Sequence, residues 1–360
     1  MDTPHAGSNL TGLRDHNTAL VLSLLRAAPQ GSSRVELAAG TGLTPQAIGK
    51  IVARLLAAAL VEEDGRGAST GGKPRTLLRL RPAAGFAVGV ELDRHRTTVL
   101  LVDLCGGIRH RATAPTGLAD APPRQTVELI AALVREVAAT APAGADLLGV
   151  GVGCRGPLDH AHGVLHRPAG LASWDRFPLR EALAEQLAPW PVRLDKDTNT
   201  AALACAGPGH TAYLHFGDGL GAALLLHGAL HRGARTNAGE FGHQVVQLDG
   251  PPCSCGSRGC LEALCLAAVA TGDHRAAARL LAVGAANLVQ LLDVDRVLLG
   301  GPVVFAHPEL YPAEIADGLA ARLPDREWQQ VPVSLTPAGP AAVALGAAEL
   351  ALGPLFGRRG

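Results

Sequence analysis

Lysine is almost missing from this 360-residue chain. Only Lys50, Lys73 and Lys196 occur, and arginine supplies the other basic groups. This reads as a coding bias toward Ala, Arg and Gly, not as a function. Long apolar runs are also lacking. No stretch approaches the roughly 18 apolar residues of a membrane span, so no membrane partner is expected. The opening MDTPHAGSNL has no basic start followed by an apolar core, which predicts no secretory signal and a cytoplasmic protein. Net charge is lacking too, because 32 Lys/Arg balance 32 Asp/Glu. With 48% hydrophobic and 18% charged residues, the chain has the balance of a soluble globular protein, and its length suits two or three domains.

The charge is not spread evenly. Residues 1–82 hold ten Lys/Arg and six Asp/Glu, a balance of +4, and the remaining 22 and 26 give −4. A basic N-terminal module on an acidic body points to a polyanion at one end, although the excess is small.

Seven cysteines are present, and three of them crowd into one stretch with a histidine. GEFGH…CSCGSRGCLE places His243, Cys253, Cys255 and Cys260 within eighteen residues. One imidazole and three thiolates form a closed tetrahedral zinc set, so one structural zinc ion is expected. Gly256 and Gly259 let the chain fold back so that Cys260 reaches the same metal. The alternative is a small disulfide loop or a few core cysteines. A His/Cys cluster in a chain without export signals favours metal. Cys105, Cys154, Cys205 and Cys265 read as buried small apolar residues.

The N-terminal region reads as helix, helix, tight turn, helix, wing. Apolar spacing predicts a helix over His16–Ala28. Ser33 and Glu36 form a capping box that opens a second. Gly40-Thr41-Gly42 turns the chain, and Thr44 with Pro45 starts a third helix running to about Leu60. Residues 61–80 read as a two-stranded wing bending at Gly65, Arg66 and Gly67. This is a winged helix-turn-helix, whose third helix enters the major groove. Thr44, Gln46, Ala47 and Lys50 sit where base contacts are made. Gln46 suits adenine, and Lys50 and Arg54 suit phosphate. Residues 69–75, with Lys73 and Arg75, form a basic arm of the kind that enters a minor groove. The plainer alternative is a helical protein-contact domain with a solvated linker.

The body reads as two α/β lobes. FAVGVELDRHRTTVLLVDLCGGIRHR and AYLHFGDGLGAALLLHGALHRG both read as strand, turn, strand, Gly turn, strand. Such a repeat suggests an actin-like ATPase (ribonuclease H-like) architecture, in which two turns face each other across a cleft. Helices are predicted over Gln125–Ala139, Leu179–Leu187, Ala276–Leu292 and the AAVALGAAELAL segment, with VLLGGP as a buried strand. The boundaries expected are 1–82 for the DNA-binding domain, 83–197 plus 340–360 for the first lobe, and 198–339 for the second lobe with the zinc loop.

Five segments carry a specific resemblance: GVGCRGPLD, LDKDTNTAA, RGARTNAGEFGH, CSCGSRGCLE and LLGGPV. On these the body, about Phe86 to Leu352, resembles the ROK family (repressors, open reading frames, sugar kinases), and the added N-terminal module resembles its repressor branch. The resemblance implies that Asp197 stands where the kinases hold their catalytic base. It implies that Glu240, His243 and Glu262 contact sugar hydroxyls, with His243 binding metal through one nitrogen while the other faces ligand.

The chain departs from the kinases at the phosphate site. Where they carry D-x-G-G-T-K, it has Glu91-Leu92-Asp93-Arg94-His95-Arg96, and Asp218 replaces a threonine in the second glycine turn. Side chains obstruct the first loop and carboxylates repel phosphate, so neither ATP binding nor kinase activity is expected. Lys196 stands in place of a sugar-contacting asparagine, and Pro168-Ala169-Gly170-Leu171 lacks the asparagine of the family's P-N-L segment. Lys196 suits an acidic sugar derivative. Its plainer roles are to point to solvent or pair with Asp195. The chain is also shorter than usual after Leu261, a trimming that bears on dimer or partner surfaces.

The function expected is a sugar-responsive, homodimeric DNA-binding repressor acting on a palindromic operator, without catalysis. The alternatives are an active ATP-dependent sugar kinase with a DNA-binding domain, or a ligand-independent regulator controlled by protein docking.

Overall fold

A computed structural model describes residues 10–66, 75–119, 121–168, 170–323 and 328–358. The N-terminal module contains α1 (Leu10–Ala27), β1 (Ser32–Ser33), α2 (Arg34–Thr41), α3 (Pro45–Ala57), β2 (Val61–Arg66) and β3 (Thr76–Leu80). Ser33 caps α2, and the Glu36 side chain accepts from the Ser33 N–H at 2.7 Å, so the capping box is present. Gly42 ends α2 in the left-handed region. Thr44 caps α3 by accepting from the Ala47 N–H, with Pro45 at the first helical position.

Three local expectations are corrected. α1 begins at Leu10, before His16. α3 stops at Ala57, short of Leu60, because Ala59 turns left-handed (φ 53°) and launches β2. Gly65 and Arg66 are not the wing's bend. β2 runs through Arg66, and Gly65 (φ 72°) lies in a register shift between Glu63 and Arg66. Gly67 lies outside the described residues. β1 was not foreseen. It pairs Ser32 and Ser33 with Leu78 and Leu77, and two residues carry no readable period.

The first lobe comprises β4 (Phe86–Leu92), β5 (Arg96–Asp103), β6 (Ile108–Pro115), α4 (Pro123–Ala138), β7 (Leu147–Cys154), the small hairpin β8 (Leu158–Asp159) and β9 (Val164–Leu165), α5 (Leu179–Leu187) and β10 (Val192–Lys196). α6 (Asp197–Leu203) crosses to the second lobe. That lobe has β11 (Thr211–Phe216), β12 (Leu220–Leu226), β13 (Ala229–His231), α7 (Leu261–Ala270), α8 (His274–Leu292), β14 (Arg296–Gly300), α9 (Pro302–Ala306), α10 (Leu310–Arg322) and β15 (Val333–Leu335). α11 (Ala342–Leu352) follows.

The two sheets have one topology. The first is ordered β10-β7-β4-β5-β6 and the second β13-β12-β11-β14-β15. In each, an antiparallel meander is extended by two parallel strands on the side of its first strand. The sequence repeat between the two lobe openings is therefore a repeat of topology.

α11 joins two cores. Its Ala342 and Val343 pack with Ala201, Tyr213 and Leu298 between the lobes. Its Ala344, Ala348 and Leu352 pack in one cluster with Leu25 of α1, Ile48 of α3 and Leu100 of β5. The N-terminal module is thus packed against the first lobe with a continuous apolar core. Alanine suits this role because backbones meet closely. A Cβ on Gly151 would lie 1.8 Å from the Ala347 carbonyl oxygen.

α7 fills the stretch after Leu261. Two helical stretches, His274–Leu292 and Gly339–Phe356, are long and apolar enough by length and composition to cross a bilayer, contrary to the expectation from sequence. Half or more of each is buried within the fold, as in the core helices of a globular protein.

Candidate functional site

The cysteine loop is built by two tight turns. The Cys253 N–H donates to Ser257 O, and the Gly256 N–H donates to Cys253 O. Gly259 has φ 66°, and a Cβ there would lie 1.5 Å from the Gln247 carbonyl oxygen, so the return of the chain requires glycine. Cys260 comes back beside Val245 and starts α7. His243 closes a short helical turn over Phe241–His243.

The ligand atoms of His243, Cys253, Cys255 and Cys260 all lie within 4.8 Å of one another. Cys255 Sγ is 3.7 Å from Cys260 Sγ, and Cys253 Sγ is 3.6 Å from His243 Nδ1. A tetrahedral zinc with bonds of about 2.0–2.3 Å separates its ligand atoms by roughly 3.5–3.8 Å. The donor set therefore fits zinc. Burial pushes the Cys260 thiol up to about 12, while the Ser257 amide lowers Cys255. Both sulfurs are free thiols, not a disulfide loop.

His243 presents Nδ1 to the sulfurs and Nε2 toward Glu240, 4.0 Å from its Oε2. Glu240 also meets Lys196. The Lys196 ammonium donates to Glu240 Oε1 at 2.6 Å and reaches Ala238 O at 3.5 Å. Lys196 is only 5% exposed, so it does not point to solvent. Nor does its ammonium pair with Asp195. Only the Lys196 backbone N–H reaches that carboxylate, at 2.8 Å. Asp195 is held instead by Arg232 Nε and Asn199 Nδ2, each at 2.7 Å. Arg232 lies inside one of the family-like segments, but no local pattern marks it out. A buried aspartate needs a partner, and topology decides which one.

Asp197 opens α6, where its Oδ1 accepts the Thr198 N–H at 2.7 Å. Glu262, in the first turn of α7, accepts the Leu220 N–H at 2.8 Å. The second glycine turn is thus tied to the zinc-bearing segment through α7.

Between the two opening turns lies a pocket of about 120 Å³ lined by Glu91, Asp93, Arg155, Asp197, His215 and Asp218, among others. Four of these are carboxylates. Asp93 is 3.8 Å from Arg155 Nε, and Asp218 is 3.4 Å from His95 Nε2. In the second turn the Gly217 N–H is taken by Gly219 O at 3.0 Å. Glu91 Oε2 is buried without a hydrogen-bond partner. Burial, reinforced by Asp93, pushes its carboxyl up to about 7. Burial holds His215 below the ordinary histidine range, and its Nδ1 meets the Tyr213 hydroxyl at 3.2 Å. Arg155 and His215 were missed because neither stands out without the opposite lobe in place.

The N-terminal module presents a second surface. On α3, Ile48, Ile51, Val52 and Leu55 are buried, while Gln46, Lys50, Ala53, Arg54 and Ala57 are exposed. Thr44 is exposed but spends its hydroxyl on capping, and Arg54 donates to the Thr18 hydroxyl at 3.3 Å. The module's basic excess is partly neutralised. Arg34 pairs with Glu63 at 2.9 Å, Arg81 with Glu62 at 3.6 Å, and Arg79 with Asp64. Arg26 pairs with Glu349 of α11. Lys50, Arg54 and Arg75 enter no ion pair among the described residues, and Arg75 is exposed. Lys73 and the arm before Arg75 lie outside the described residues.

Comparison with known proteins places this geometry. A model of the ROK family matches residues 87–270. The xylose repressor of Bacillus subtilis (strain 168) is 27% identical over 255 residues, covering 68% of this chain and 63% of that protein. The glucokinase of Thermotoga maritima is 32% identical over 183 residues, covering 49% of this chain and 56% of that protein. The chain thus spans less than two thirds of the length of these relatives. Among solved structures, a ROK family transcriptional regulator described as a homologue of the E. coli MLC protein aligns with a TM-score of 0.75 at 20% identity, over 96% of this chain and 97% of that one, which establishes a shared fold. With its family model matching half the chain, this protein belongs to the ROK family.

Proposed function

We propose that this chain is a sugar-responsive transcriptional repressor of the ROK type, that it binds a palindromic operator as a homodimer in the cytoplasm, and that it does not phosphorylate its ligand. The observation that carries this reading is the pocket between the lobes. Where transferred phosphate would need free amides and positive charge, it holds Glu91, Asp93 and Asp218, and the Gly217 amide is already bonded. The groups suited to hydroxyl recognition are Asp197, which lines the pocket, and Glu240, His243 and Glu262, with Lys196 holding Glu240. Thr44, Gln46, Lys50 and Arg54 of α3, with Lys73 and Arg75 of the arm, serve DNA. Named relatives that are xylose repressors support the repressor reading.

One zinc ion held by His243, Cys253, Cys255 and Cys260 would stiffen the loop that carries Glu240 and His243. The functional division follows residues 1–82, 83–197 with 340–360, and 198–339. Because Lys196 and Asp195 belong to the first lobe while Glu240 and Arg232 belong to the second, a ligand that engages Glu240 changes how the lobes close. It regulates DNA binding only through its different affinity for the two closures.

The test is a titration of the DNA-bound protein with neutral pentoses and hexoses and with their acid derivatives. One class is expected to shift DNA affinity at least tenfold. A DNA-binding protein that answers to no sugar would favour control by a docking protein. The kinase reading keeps one observation in its favour, Asp197 lining the pocket. ATP-dependent phosphorylation of a sugar, abolished by Asp197→Asn, would establish it over ours.

A further inference from the structure

Gly49 stands in the interior of α3, flanked by Ile48 and Lys50. Glycine there costs roughly 1 kcal/mol of helix stability relative to alanine. Other glycines in the fold have visible reasons. Gly89, Gly151 and Gly346 lie against the backbone of a neighbouring element, where a Cβ would be 1.6–1.9 Å from an oxygen. Gly42, Gly65, Gly144, Gly256, Gly272 and Gly339 have open space around them, but each has a left-handed φ that favours glycine. Among the described residues, Gly49 alone combines ordinary helical torsions with nothing within 4 Å of an added Cβ. Neither packing nor backbone geometry inside the protein calls for it.

Its position supplies the missing reason. At 100° per residue, Gly49 falls beside Gln46 (three residues before) and Ala53 (four after), on the flank of the outward face of α3. The opposite face is anchored by Ile48, Ile51, Val52 and Leu55. The open volume beside Gly49 is therefore outside the protein, on the surface that the repressor reading gives to the major groove. We propose that Gly49 is a specificity-determining residue of the DNA interface. Its missing side chain lets α3 sit deep enough for the Gln46 amide to reach a base edge, with the Gly49 Cα against the neighbouring base pair. Alanine at 53 and 57 extends the same low profile. A thymine methyl is the group such a shallow apolar surface accommodates.

The proposal rests on the DNA-binding reading, and the experiment separates the two. Full-length wild-type protein is first used to select bound fragments of genomic DNA, and failure to select any specific sequence defeats the DNA reading itself. With a selected site in hand, Gly49→Ala and Gly49→Ser are compared with wild type. Gly49→Ala is expected to raise the melting temperature, showing that the fold is intact. It should lower affinity for the selected site about tenfold or more, a cost comparable to one mismatched base pair. Affinity for unrelated DNA and the salt dependence should stay as they are, because the groups that meet phosphate are untouched. Gly49→Ser should lose as much, and sites reselected with it should differ at the base pair opposite residue 49. A more stable Gly49→Ala protein that binds the selected site with unchanged affinity would overturn the proposal.

Discussion

Lys196 Nζ and Glu240 Oε1 lie 2.6 Å apart, one at the end of β10 in the first lobe and the other just ahead of His243 in the second. The pair is lopsided. The lysine side chain is 6% exposed and the glutamate side chain 41%. Breaking it from either side should therefore cost different amounts. Glu240→Ala leaves a buried ammonium without a counterion and should cost about 3 kcal/mol. Lys196→Met leaves a carboxylate that can turn to water and should cost about 1 kcal/mol or less. Urea unfolding of both variants checks this, and equal costs would contradict the assigned burial.

The metal set makes a graded prediction. Wild-type protein should carry about one zinc per chain, measured by elemental analysis. Cys253→Ser should lose most of it and with it the response to ligand, while still binding DNA, because α3 lies in a separate module. A Cys253→Ser protein with full ligand response and no zinc would break the link between metal and site.

Glu91 gives a pH signature. Its carboxyl sits near 7 in the fold against about 4.5 unfolded, so the folded state holds a proton that the unfolded chain releases first. Stability should fall as pH rises from about 4.5 to 7 and level off above that. Glu91→Gln removes this slope and should stabilise the protein at pH 8 by up to about 3 kcal/mol. Thermal melts of both proteins at pH 5 and pH 8 decide it, and parallel pH profiles would contradict a carboxyl raised by burial with its Oε2 unpartnered.

The module and body are fastened by Arg26 and Glu349. Arg26 Nη1 donates to Glu349 Oε2 at 2.7 Å, and the guanidinium lies 4.6 Å from the centre of the Phe356 ring. Arg26→Met should cost about 3 kcal/mol and speed hydrogen exchange in α1. The double variant Arg26→Met/Glu349→Leu should recover much of the loss, since the one charge left without its partner is then Arg358, 3.7 Å from Glu349 in the wild type, whose exposed side chain can turn to water. Unchanged exchange in α1 would show that the apolar packing alone holds the module.

Much of this was legible in sequence where the signal is local. Ser33 with Glu36, Thr44 with Pro45, and the Cys253-Ser254-Cys255 spacing are short patterns whose chemistry is complete within a few residues, and the repeated strand-turn-strand openings announced the paired sheets. What escaped needed the fold. Lys196 finds Glu240 forty-four residues away. Asp195 takes Arg232 in place of its chain neighbour. Charge counting alone could not show that the acids of β2 neutralise Arg34, Arg79 and Arg81. Such pairings are fixed by strand order and lobe closure, not by spacing.

The most direct test of the repressor reading is selection of bound genomic fragments by the full-length, zinc-loaded protein, followed by salt titration of the best site with wild type and Arg75→Ala. A palindrome with two half-sites is expected. Arg75→Ala should weaken binding and lower the salt slope by about one for each phosphate the arm no longer neutralises. A folded, metal-loaded protein that recovers no specific sequence would contradict the reading.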